Sequence, residues 1–370
     1  MKNQKKRIVI DARIRRSSTG RYVDRLMEHL QDIDEQNRYI VVLQNDDDWL
    51  PRKPNFEVTY SNCPQFSINP LHEIVYAIKL YGLKADLVHF PMNQQPMFYF
   101  KPVVTSTLDL TMLSYTRPGK TPLPIFYLKM AGYKFIFWYS NRKSKQIITI
   151  SNYVKKDLES NYRFTNGKTT TTYCATEPPI EVTPKAPKFI KQNQKFLLYV
   201  GTALPHKNLE SLIYSFIILR KTHPSLKLVL AGKKEYYYDK LVDYTKSKDI
   251  SKDVVISGFV SDEVLKWLYE NAICYVFPSL SEGFGLPGLE AMAHGLPVVS
   301  SNATCLPEIY SDAAIYFDPL DIEDMSEKID KVISDKKLRN KLIKKGCSQI
   351  KKYSWEKMDK ETLAVYEKTF

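Results

Sequence analysis

The feature that most constrains this chain is a short run of residues rich in Val and Ile, repeated at intervals filled by helical patterns. Ile8, Val9 and Ile10 make the first run, and residues 39–43, 87–90, 103–107 and 146–150 repeat it. A strand that is apolar on both faces needs cover on both, which a parallel sheet flanked by helices supplies. Helices are expected over residues 22–30, after a polar loop holding Gly20, and from about Ser151. The alternation stops once, at residues 176–187, where Pro178, Pro179, Pro184 and Pro187 exclude a helix or a central strand. It resumes at residues 196–200 and continues through 226–231, 254–256, 273–277, 297–300 and 314–317, with helices over 208–220 and 262–271. The expected fold class is α/β, with two doubly wound, Rossmann-like domains facing across a cleft. We place them at residues 1–178 and 190–352, with a helical tail over 353–370 packing back on the first. Ligands of such sheets bind outside the carboxyl ends of the strands.

Composition narrows the class further. The chain has 370 residues, 44% hydrophobic and 26% charged, as in an ordinary globular protein with room for two domains. No apolar run is long enough to cross a bilayer, and the polar residues before Ile8 leave no expectation of a secretory signal. Cys63, Cys174, Cys274, Cys305 and Cys347 are scattered with no Cys-x-x-Cys pair, which fits a reducing cytoplasm better than a disulfide or zinc framework. The net charge is +13, and residues 101–170 hold 12 Lys/Arg against 3 Asp/Glu, most of that surplus. Within it, residues 129–145 interleave aromatics with cations. Such a segment fits a solvated core helix, or a peripheral contact with anionic membrane or a phosphorylated acceptor. Nucleic acid is a weaker partner, because no known binding module accompanies the charge.

Residues 279–299 carry the chemistry. Glu282 sits in a loop with Gly283 and Gly285, and Glu290 falls within the first two turns of the helix that the loop opens. Backbone N–H groups at such a place bind anions or sugar oxygens, and each carboxylate can accept bonds from a pair of hydroxyls. A ligand with phosphates and hydroxyls, such as a nucleotide-sugar, has both features.

Four segments in this order resemble the retaining glycosyltransferases of family 4, whose fold is GT-B. They are the Glu-x7-Glu run at Glu282 and Glu290, residues 306–308 with 312–319, residues 199–209, and residues 18–22. The resemblance implies a contact from Glu290 to the donor ribose and from Glu282 to the transferred sugar. It implies that the backbone of Gly283, Phe284, Gly285 and Leu286 holds sugar hydroxyls or the diphosphate. Lys207, expected at a helix start, would stabilise charge on the leaving diphosphate. The family often has an arginine where Thr202 stands, so His206 is a candidate substitute cation. Gly20, on the glycine-bearing first loop, joins the implied donor-binding set. The family also commonly has a histidine before the aspartate that ends the fourth strand. Here Leu108 precedes Asp109, so Asp109 is left to orient the acceptor, and His89 is a candidate replacement pointing to the cleft.

The implied activity is transfer of a hexose, mannose or glucose, from a GDP- or UDP-linked donor to a glycan or lipid-linked acceptor. No cofactor beyond the donor is expected. Metal independence is expected too, because Asp46, Asp47 and Asp48 lie in a loop after the second strand rather than beside a diphosphate. The departures at Leu108 and Thr202 leave two alternatives, a non-catalytic nucleotide-sugar-binding protein and a GT-B-like sugar-nucleotide epimerase.

Overall fold

Nearly every apolar run forms a strand within a residue or two of its expected ends, and all but the edge strands of the second sheet are buried on both faces. The computed structural model describes residues 5–17, 19–65 and 69–370; Ser18, in the first-loop resemblance, lies outside the described residues. Up to residue 174 the elements are β1 (Arg7–Asp11), α1 (Gly20–Ile33), β2 (Arg38–Gln44), β3 (Phe56–Ser61), α2 (Pro70–Gly82), β4 (Leu87–Phe90) and β5 (Val103–Thr107). They continue as α3 (Thr111–Ser114), α4 (Leu123–Lys143), β6 (Gln146–Thr149), α5 (Asn152–Asn161) and β7 (Thr169–Thr171). After the proline-rich segment come β8 (Phe196–Val200), α6 (Leu209–Leu219), β9 (Lys227–Ala231), α7 (Tyr236–Ser247), β10 (Val254–Gly258) and α8 (Asp262–Asn271). The remainder is β11 (Cys274–Phe277), α9 (Leu286–Ala293), β12 (Val298–Ser301), α10 (Leu306–Tyr310), β13 (Ala314–Phe317), α11 (Ile322–Ser334), α12 (Lys336–Gln349) and α13 (Trp355–Glu367).

The chain divides into two units. The first comprises Met1–Leu110, Pro122–Cys174 and Ser354–Phe370, and the second Thr111–Thr121 and Ala175–Tyr353. The first holds a seven-stranded parallel sheet in the order β3-β2-β1-β4-β5-β6-β7. Its centre is sealed by Ile8, Val9, Ile10, Val41, Val88, Val104 and Ile147, none of which reaches solvent. Within this unit α13 packs on α1. Three elements depart from expectation, since β3, β7 and α2 were not legible. Strands β3 and β7 are sheet edges with polar residues, Glu57 and Thr59 in one and three threonines in the other. An edge strand needs no apolar run.

The second unit holds a six-stranded parallel sheet in the order β10-β9-β8-β11-β12-β13. Helices α6 and α11 pack together, with Ser215 Oγ 2.9 Å from Ser326 Oγ. Residues 111–121 belong to this unit, although they precede the proline-rich segment. The Thr111 hydroxyl lies 2.8 Å from that of Ser281, and Tyr237 Oη donates to the Arg117 carbonyl at 3.2 Å.

Candidate functional site

In the second sheet the chain runs outward in both directions from β8 and β11, its topological switch point. Loops leaving the carboxyl ends of two such strands splay apart and leave a crevice. The loop after β8 carries Thr202, His206 and Lys207; the loop after β11 carries Glu282 to Gly285. Strand pairing of β8 with β11, Leu197 opposite Cys274, therefore brings residues 75 positions apart into contact.

Lys207 Nζ donates to Glu282 Oε1 at 2.6 Å. Their side chains are 15% and 12% exposed, so the pair is held in a shaped site yet remains open to a ligand. Lys207 sits in a single 3-10 turn, Pro205–Lys207, rather than on the following helix. Asn208 separates the two in left-handed conformation (φ 56°) and anchors the turn, donating through Nδ2 to the carbonyls of Pro319 at 2.9 Å and Pro278 at 3.2 Å. Glu282 is fixed from behind, since its N–H donates to Thr304 Oγ1 at 3.1 Å and its carbonyl accepts from Cys305 Sγ at 3.2 Å.

His206 does not supply a second cation. Burial and the neighbouring Lys207 push its pKa down to about 4, so the ring is neutral at pH 7. Its carbonyl instead accepts the Leu280 N–H at 2.7 Å, stitching the two loops together. Thr202 is half-buried, and its carbonyl accepts the Tyr199 hydroxyl at 2.7 Å. A cavity of about 400 Å³ shares Ala203, Leu204, Pro205 and Leu280 with these loops and is closed opposite by Arg117, Tyr236 and Tyr237; the Lys207–Glu282 pair does not line it.

Gly285 is where the loop turns into α9. Its φ of 96° is left-handed, and a Cβ there would lie 2.5 Å from Tyr310 Oη, which donates to the Gly285 carbonyl at 2.6 Å. Only glycine meets both demands. Gly283 is buried beside it, and Leu286 opens the helix, half-buried. The first turn of any helix presents N–H groups without an intrahelical partner. The Phe284 side chain is buried edge-on against Tyr353 with ring centres 5.4 Å apart, so any ligand contact from this residue is through its backbone. Glu290 lies on α9, with Tyr269 Oη 3.4 Å from its Oε2. The next turn is locked by His294, whose Nε2 accepts the Ile180 N–H at 3.1 Å, leaving Nδ1–H to donate to the Glu290 carbonyl at 2.9 Å. Tyr269, Thr304, Asn208 and Tyr310 were not foreseen. Each acts across at least 20 residues of sequence or through a backbone carbonyl, so no local pattern marks it.

Asp109, Gly20 and His89 belong to the first unit. Asp109 is half-buried after β5, next to Leu108, and its charge raises the pKa of Tyr133 further beyond the effect of burial. Gly20 opens α1 with its N–H given to the Ser17 carbonyl at 2.9 Å, and a Cβ there would lie 1.7 Å from the Arg15 carbonyl oxygen. The glycine is therefore demanded by backbone approach. His89 is not a replacement for the absent histidine before Asp109. It is fully buried, with Nδ1 2.6 Å from Tyr366 Oη and Nε2 2.8 Å from Ser106 Oγ, and burial pushes its pKa down to about 3. It is a core residue that ties α13 to β4 and β5. Asp46, Asp47 and Asp48 are engaged by Arg15 and Arg16. Among the described residues, no cluster of three or more His, Cys, Asp or Glu could hold a metal ion.

Residues 183–349 match the family model described as glycosyl transferases group 1, which accounts for nearly all of the second unit. The chain is 32% identical over 231 residues to the O-antigen chain mannosyltransferase B of Escherichia coli, covering 60% of this chain and 61% of that one. Among solved structures it resembles sucrose-phosphate synthase from Thermosynechococcus elongatus, with a TM-score of 0.78 at 16% identity over 98% of this chain and 99% of the other. It also resembles Anabaena HepE in complex with UDP and glucose, with a TM-score of 0.70 at 15% identity over 98% and 99%. At such identities the likeness is one of fold, and that fold is GT-B. The chain spans about three fifths of the length of the mannosyltransferase it matches.

Proposed function

We propose, from the premise that residues 183–349 form a glycosyl transferases group 1 domain, that this protein transfers a hexose from a nucleotide-sugar to a glycan or lipid-linked acceptor. The observation that carries the reading is the Lys207–Glu282 pair, set on the loops of two neighbouring strands at the switch point of the sheet. In this reading the Lys207 ammonium turns toward the diphosphate as charge develops on the leaving oxygen. In a partly desolvated site such a cation stabilises the transition state more than the ground state. Glu282, held by Thr304 and Cys305, accepts hydroxyls of the transferred sugar, and Glu290 accepts the ribose hydroxyls. Mannose is the favoured hexose, by likeness to the O-antigen chain mannosyltransferase, and a UDP- or GDP-linked donor is in keeping with the UDP-bound neighbour. Transfer with retention of configuration, metal independence, and a peripheral membrane contact through residues 129–145 in the cytoplasm complete the proposal. No helix among the described residues is long and apolar enough to cross a membrane.

Glu290→Ala tests the donor assignment. Loss of a charge-assisted bond pair predicts donor affinity weakened about 10- to 100-fold, read by calorimetry with UDP- and GDP-sugars. Unchanged affinity and turnover would refute it. Tight donor binding without product across a broad acceptor panel would favour a binding protein over a transferase. Exhaustive chelation is expected to leave activity intact, and a strict Mg²⁺ requirement would sink metal independence.

A further inference from the structure

The cavity of about 400 Å³ beside the loops of the second unit has no part in the donor contacts proposed above, since none of Lys207, Glu282 and Glu290 lines it. All of its lining residues belong to the second unit. One wall is the start of α7, where Tyr236 and Tyr237 meet edge to face with ring centres 5.2 Å apart. Another is the turn at residues 117–119, within the segment 111–121. That segment is tied down at both ends of the wall, by Thr111 to Ser281 and by the Tyr237 hydroxyl to the Arg117 carbonyl. Gly119 has a left-handed φ of 58°, which favours glycine, and a Cβ there would touch the Tyr237 hydroxyl at 3.5 Å. Leu204, Leu209, Leu241 and Leu280 supply apolar lining.

The charged groups at this cavity are mostly cations. Arg117 and Lys240 line it, and the ammonium groups of Lys120 and Lys240 stand 5.6 and 5.7 Å from the centre of the Tyr236 ring. Among the described residues Glu210 is the single carboxylate in the lining. It lies 3.7 Å from Arg117, beyond hydrogen-bond distance, and both side chains are more than half exposed. So loose an exposed pair holds little, and the guanidinium fork keeps donors for a ligand. Three cations against one acid, around tyrosine and leucine surface, select an occupant with negative charge and an apolar face. A sugar that bears a carboxylate or a phosphate has both. The C–H groups on one face of its ring pack on aromatic side chains, and its anionic oxygens accept charge-assisted bonds from Arg and Lys. The volume lies in the range of small-molecule sites and leaves room for more than one hexose.

We propose that this cavity is a subsite for an anionic saccharide, holding the sugar next to the one that receives the transferred hexose. Pro205 and Asn208, which line it, flank Lys207 in the chain, and Leu280 precedes Glu282 by two residues. An occupant therefore lies against the same two loops that carry the Lys207–Glu282 pair. Arg117, Lys120 and Lys240 hold the negative group, and Tyr236 and Tyr237 offer their rings to the sugar. A uronate carboxylate and a sugar phosphate present the same chemistry to these cations. The place of the subsite on the acceptor rests on the transferase reading, whereas the binding of a charged saccharide does not.

The test is calorimetric titration of the full chain with mannobiose, mannobiose 6-phosphate and dimannuronate, with UDP- and GDP-hexoses titrated separately. At least one charged disaccharide is expected to bind about 10-fold or more tighter than mannobiose, and the better of the two identifies phosphate or carboxylate as the source of charge. Arg117→Ala/Lys240→Ala is expected to remove that preference and to leave donor affinity unchanged. Both side chains are exposed, so an unchanged melting temperature is expected. Should that variant not fold, Leu204→Trp reads the same cavity by filling it, and is expected to abolish binding of all three disaccharides. Equal affinity for charged and neutral disaccharides overturns the inference, as does wild-type binding by either variant. A wild type that binds donor but none of the three overturns it too and leaves the transferase reading standing. Loss of donor affinity in Arg117→Ala/Lys240→Ala would give the cavity to the donor instead. Charged-saccharide binding by a protein that takes no donor would keep the site and refute its place in transfer.

Discussion

The carboxyl ends of the two sheets make an instructive contrast. Both sheets reverse strand order at one point, between β1 and β4 in the first unit and between β8 and β11 in the second. Each places a cation against a carboxylate there. In the first, Arg13 grips Asp11 through two bonds of 2.8 Å, gives a third to the Cys63 carbonyl and stacks over Tyr76 at 3.5 Å, and the whole group is buried. In the second, Lys207 meets Glu282 through one bond, with both side chains partly open. A bidentate, stacked guanidinium has its donors committed, whereas a lysine ammonium on a flexible stem retains donors that a ligand can take. The same topology thus carries a fully committed ion pair at one switch point and, at the other, a partly open one that the proposed function assigns to the donor.

Substitutions can break this contrast, beginning with the largest expected effect. Arg13→Ala leaves the Asp11 carboxylate buried without its partner, and is expected to lower unfolding free energy by about 3–5 kcal/mol in denaturant titration while donor affinity stays unchanged. A mild stability loss would show that Asp11 reaches water. Lys207→Ala is expected to do the reverse, cutting kcat about 100- to 1,000-fold with a smaller change in melting temperature. A large fall in stability with little change in kcat would make this pair structural as well.

The effect smallest per step of the experiment sharpens the contrast through pH. Asp359, on α13 in the first unit, has a fully buried carboxyl with neither oxygen hydrogen-bonded, and burial raises its pKa well above the ordinary carboxylate range. The folded state therefore holds a proton that the unfolded chain releases near pH 4. Stability is full below the unfolded pKa and falls by about 1.4 kcal/mol per pH unit as pH rises toward the folded value. Asp359→Asn should remove that slope, as thermal melts between pH 4 and pH 7 would record. Parallel pH profiles for the two proteins would mean that Asp359 is ionised in the fold.

Central strands were legible in the sequence because burial on both faces forces an apolar run, as at residues 196–200. Helix α2 was not, because its outward face is as apolar as its inward one and the usual periodicity is blurred. Residues 18–22 illustrate another limit: Gly20 answers to the Arg15 carbonyl, a contact no pattern announces.

What the sequence determined by itself was the α/β class, the position of the proline-rich break, and the pairing of loop and helix that carries Glu282 and Glu290, since all three follow from local composition and spacing. Tertiary structure alone decided the partners. It set Lys207 against Glu282 by placing β8 beside β11, and it buried His89 between Tyr366 and Ser106 instead of leaving it to a ligand. It also uncharged His206 by burial and moved residues 111–121 into the second unit. Those outcomes depend on which strands are neighbours and how much water reaches a side chain, and neither quantity is written in the order of residues along the chain.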